Sequence, residues 1–157
     1  MFKNKILSKI LSAVAIAGFG LLMLDFVLFL DNFFHEAVLA AIGVLGPSGV
    51  VERSRWFPII MHFAFLAIIG AVSWPVFRSK IKPLYKAIWL PVPVAAVSVT
   101  IGIFFYAWPA AVYALNAFFY AAILHYFGRT EKPWLYYYAV FLAGLVLIFL
   151  LLKGGDI

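Results

Sequence analysis

Apolar residues run through this chain in long unbroken stretches, with charged side chains gathered in the gaps between them. From 10 to 30 only Asp25 is charged. That interval makes about 31 Å of helix, the thickness of a bilayer's hydrocarbon core. From 56 to 77, between Arg55 and Arg78, the one titratable group is His62. Residues 87–128 hold no Asp, Glu, Lys or Arg, a length sufficient for two crossings, and Trp108-Pro109 interrupts them. A last uncharged stretch, 133–152, follows a polar turn and stops at Lys153.

The pattern predicts an all-α integral membrane protein, one transmembrane domain over 1–157. Its five spans are TM1 10–30, TM2 56–77, TM3 87–107, TM4 110–127 and TM5 133–152, with an outer loop at 31–55. Inside that loop, 37–45 is apolar but too short to cross. A short interfacial or re-entrant helix is expected there, ended by Gly46-Pro47.

The basic residues orient the bundle. With the N-terminus cytoplasmic, Lys3, Lys5, Lys9, Arg78, Lys80, Lys82, Lys86, Arg129 and Lys132 share one side, leaving Arg53, Arg55 and Lys153 outside. Five spans then place the C-terminus outside a plasma membrane. The tryptophans and the run Tyr136, Tyr137, Tyr138 lie near span ends, as interfacial anchors do. Lys3, Lys5 and Lys9 ahead of an apolar run also have the form of a secretory signal. The run continues well past Ala17, so a retained anchor is expected.

Composition sharpens this. Apolar residues make up 67% of the chain, against about 45–50% in soluble domains, which excludes an ordinary water-soluble fold. The net charge of +6 comes from flanking residues and forms no stripe for nucleic acid. The absence of cysteine excludes disulfides, thiolate catalysis and thiolate metal sites.

Small residues mark where helices approach closely in lipid. Ala110, Ala114, Ala117 and Ala121 in TM4 and Ala95, Ser98 and Gly102 in TM3 are expected to face each other in a hairpin, with Asn116 bonding across it. Pro91 and Pro93 either start TM3 or, if the helix begins earlier, kink it.

Polarity concentrates after TM1: Asp25, Asp31, Asn32, His35 and Glu36, then Glu52, Arg53 and Arg55. If the TM1 helix runs through Glu36, Asp25, Asn32 and Glu36 share one face while Asp31 and His35 form an i, i+4 pair on another. His62 enters TM2 from the same side. Asp25, Asp31, His35, Glu36 and His62 are therefore the candidate catalytic residues. Asp31, His35 and His62 are also the candidate metal ligands, since carboxylate and imidazole suit zinc, manganese or iron. No cofactor is expected, because no nucleotide, phosphate-loop or zinc-protease motif occurs.

Gly46-Pro47-Ser48-Gly49 is similar in form to the Gly-x-Ser-Gly nucleophile motif of rhomboid intramembrane proteases, which implies a serine paired with a histidine. Five spans and a loop setting favour a tight turn at these residues instead. Phe57-Pro58 and Gly128-Arg129 give a layout similar to the small membrane subunits of bacterial tripartite carriers. The expectation is a non-enzymatic transport or membrane-complex subunit that meets lipid and either its own copies or a larger assembly, and does not bind nucleic acid. The alternative is a membrane-embedded enzyme whose outer-face carboxylates and histidines act on a lipid-like substrate.

Overall fold

The computed structural model describes residues 2–45 and 57–153. The turn expected at Gly46 to Gly49, and Glu52, Arg53, Arg55 and Trp56, lie outside the described residues. The fold is all-helical, 90% helix, with no strand among the described residues. Its helices are α1 Phe2–Leu45, α2 Phe57–Arg78, α3 Pro83–Trp89, α4 Pro91–Phe104, α5 Pro109–Arg129 and α6 Trp134–Lys153. Among the described residues, four segments are long and apolar enough to cross a membrane: within α1, within α2, α5 and the joined stretch Pro83–Phe104.

α1 corrects the expected boundary after residue 30. It continues unbroken through 37–45, so the separate short helix is absent and 31–45 is not loop. Asp31, Asn32, His35 and Glu36 are polar, but none of them breaks a helix, and Ala37, Leu39, Ala40 and Ala41 favour one. No proline falls inside this helix. The polarity marked a change of surroundings, not an end of the backbone ladder.

The third expected span also shifts. Its helix begins at Pro83 and breaks only at Leu90, which keeps helical angles (φ −55°, ψ −37°). Pro91 and Pro93 supply no N–H, so the ladder is interrupted in the middle of the segment and not at its start. α1 crosses close to this break. A Cβ on Gly20 would lie 3.5 Å from Pro91 Cγ and 3.7 Å from the Ile88 carbonyl.

The expected alanine hairpin does not form. Ala110, Ala114, Ala117 and Ala121 are all exposed, and space around Gly102 is open. α5 instead turns Val112, Phe119, Tyr120, Ile123 and Phe127 inward. Among the described residues its backbone comes close to those of α4 and α6. Large apolar side chains were available for that face, and they displace the small-residue stripe from the contact. Asn116 Nδ2 donates to the Val112 carbonyl of its own helix at 3.0 Å, while its Oδ1 is buried without a partner.

Two apolar clusters hold the bundle. One gathers Ile16, Ala87, Leu90, Phe127, Tyr136, Ala139, Val140 and Ala143. Phe127 there meets Tyr136 and Tyr137 edge-on at 5.6 Å each, so part of the expected tyrosine anchor is core. The second joins Val27, Phe65, Ile69 and Val92. At the α2–α3 turn the Lys86 ammonium donates to the carbonyls of Phe77 (2.7 Å) and Ser79 (2.6 Å), satisfying groups that the end of α2 leaves open. Trp89 Nε1 donates to Ser73 Oγ at 2.9 Å, which ties α3 to α2.

Candidate functional site

α1 divides its polar residues by helical phase. Ile16, Gly20, Leu24 and Val27 are buried on its inner face, and Asp31 and Phe34 continue the same stripe half-buried. His35, one turn after Asp31, is half-buried beside them. Asp25, Asn32 and Glu36 lie on the opposite face and are exposed. Of the five sequence candidates, the fold thus brings Asp31, His35 and His62 together and turns Asp25 and Glu36 away.

The three surround a cavity of about 210 Å³ between α1, α2 and α4, whose other walls include Phe34, Met61, Ile103 and Phe104. Asp31 and His62 also border a second cavity of about 70 Å³, walled otherwise by apolar groups such as Leu24, Val27, Leu66, Ile69, Val99 and Leu147. The two hollows therefore share a polar rim, and only the smaller one reaches α6. His35 stands edge-on to Phe57, with ring centroids 6.0 Å apart.

Sequence reasoning missed Thr100. Its Oγ1 lies 2.6 Å from the Ala96 carbonyl and 2.9 Å from His62 Nε2. A threonine hydroxyl has one hydrogen, and the carbonyl can only accept it. Toward His62 the hydroxyl must therefore accept, so His62 Nε2 carries the proton. In the neutral ring Nδ1 is then a free acceptor. The signal in the sequence was a threonine inside an apolar span. The back-bond to residue i−4 is the usual way such a side chain is satisfied.

Among the described residues no hydrogen bond or ion pair involves Asp31, and no group of three His, Asp or Glu side chains is placed to hold a metal ion. Asp31, His35 and His62 share a cavity without converging on one point. The arrangement can accept hydrogen bonds at its rim and shelter hydrocarbon below it. No protein-family model, curated protein or solved structure matches the chain.

Proposed function

We propose that this chain is a five-span plasma-membrane protein, N-terminus cytoplasmic and C-terminus outside, that binds an amphipathic, lipid-like molecule as a non-enzymatic transport or membrane-complex subunit. The observation that carries the reading is that Asp31 and His62 line both a mostly apolar hollow and a wider one with a polar rim. A hydrocarbon tail fits the first, and a head group meets the rim. The residues common to both hollows, Asp31 and His62, bring a carboxyl group and an imidazole, both able to accept, so the head group is one that donates, a hydroxyl or an amine. The bundle's outer surface supports the membrane setting, with Phe29, Phe118 and Phe141 each more than 60% exposed. In this reading α6, apolar over Trp134–Phe149 and helical to Lys153, supplies the fifth span beside the four longer segments.

The test is binding of a fluorescent long-chain alcohol or amine to the purified protein in detergent. Wild type should bind saturably, and Ala95→Phe, which fills the smaller hollow, should abolish binding while the protein stays monodisperse. Equal binding by the two proteins would rule the reading out.

A membrane-embedded enzyme on a lipid-like substrate is the second reading. His62 lines the same two hollows as Asp31, which favours it, since a neutral imidazole whose Nε2 donates to Thr100 keeps Nδ1 able to take a proton from a bound hydroxyl. Turnover lost in His62→Gln with binding retained would separate this reading from simple binding.

A further inference from the structure

The charge around the two hollows is unbalanced. Asp31 borders both of them, and among the described residues no Lys or Arg lines either. The Asp31 side chain is half-buried and makes no hydrogen bond or ion pair. Of the two imidazoles near it, His62 spends Nε2 on Thr100 and His35 packs edge-on to Phe57. Below it the walls are apolar, with Leu24, Val27, Phe65 and Ile69 among them. A carboxylate that has given up part of its water beside such walls is costly until an opposite charge meets it.

The wider hollow adds aromatic walls. Phe34 and Phe104 line it, and each has a second ring beside it, Phe65 at 6.0 Å and Phe63 at 5.2 Å. Aromatic rings draw cations to their faces and are poor neighbours for anions.

Three kinds of head group behave differently here. A carboxylate or phosphate head would stand against Asp31 and be repelled. A hydroxyl supplies one hydrogen bond and leaves the charge uncompensated. An ammonium supplies the hydrogen bond and the opposite charge together, which is the stronger kind of bond.

We infer that the rim selects a protonated amine, so that the ligand is a long-chain cationic amphiphile with Asp31 as its counter-charge. This rests on the amphiphile-binding reading above and narrows its head group. Leu24, two turns from Asp31 on the same face of α1, lines the smaller hollow, so the tail runs about 10 Å along α1 from the carboxylate.

Displacement of a fluorescent long-chain alcohol from the purified protein in an uncharged detergent tests this, with each competitor corrected for its partition into protein-free micelles. Dodecylamine should displace the probe at a concentration at least about fivefold lower than dodecanol, and dodecanoate should be the weakest of the three. Asp31→Asn should still bind the probe but lose at least about fivefold of the preference for the amine, and Asp31→Glu should keep that preference. The wild-type ranking needs no variant, so it decides even where Asp31→Asn fails to fold. Equal displacement by dodecylamine and dodecanol, or a preference undiminished in Asp31→Asn, would overturn the amine and leave probe binding that is saturable and sensitive to Ala95→Phe. Absence of saturable probe binding by wild type would instead remove the amphiphile reading, and the amine with it.

Discussion

His62 and Thr100, 38 positions apart in sequence, are joined by a 2.9 Å hydrogen bond whose direction is fixed by a second bond from the same hydroxyl. The Ala96 carbonyl takes the threonine's hydrogen, and this leaves the imidazole as donor. One i−4 back-bond inside α4 therefore decides which ring nitrogen of His62 carries the proton in the neutral imidazole.

Thr100→Val keeps the side chain's shape and removes that acceptor. The imidazole is then free to turn, and amphiphile affinity should fall about five- to tenfold, the worth of one net hydrogen bond. Thr100→Ser should retain most of it. Titration with the fluorescent amphiphile measures both.

Lys86 closes the α2 terminus through two carbonyls. Lys86→Met should lower stability by about 1.5–3 kcal/mol, the range for hydrogen bonds to a charged group. Thermal unfolding in detergent reads the loss. A melting temperature equal to wild type would mean that water serves these carbonyls equally well.

Gly20 gives α1 its close passage over the α3–α4 break. At 3.5 Å an added methyl makes ordinary contact, so Gly20→Ala should be tolerated. Gly20→Leu should cost about 1–3 kcal/mol by forcing the helices apart. Comparing the two variants separates the effect of size from any effect of removing glycine.

Glu131 holds a left-handed backbone (φ 48°) just after α5, where Lys132 N donates to the Phe127 carbonyl at 3.0 Å. This is the residue that commonly is glycine at a helix end. Glu131→Gly should raise stability by about 1 kcal/mol, seen as a higher melting temperature with unchanged helicity.

The apolar stretches predicted where helices lie, because burying or lipid-facing side chains fill whole turns. α2, α5 and α6 begin and end within two residues of expectation. The miss at residues 31–45 has a plain cause: acidic and amide side chains change the solvent that a helix prefers without removing a backbone bond. The site was half legible. Its i, i+4 pair, Asp31 and His35, and the approach of His62 follow from phase and topology. Thr100 was not visible, since its role depends on a partner 38 residues away. The alanines of α5 misled, because spacing identifies a face that permits close approach and not the neighbour that uses it.

Helix α1 spans 44 residues, about 66 Å, roughly twice the lipid hydrocarbon thickness. Asp31 therefore rides on the same stiff rod as the lysines near the N-terminus. A pull or tilt applied at that basic end is carried along the shaft to the cavity rim, so in the membrane setting proposed above one side of the bilayer would have a mechanical route to the other along a single unbroken helix.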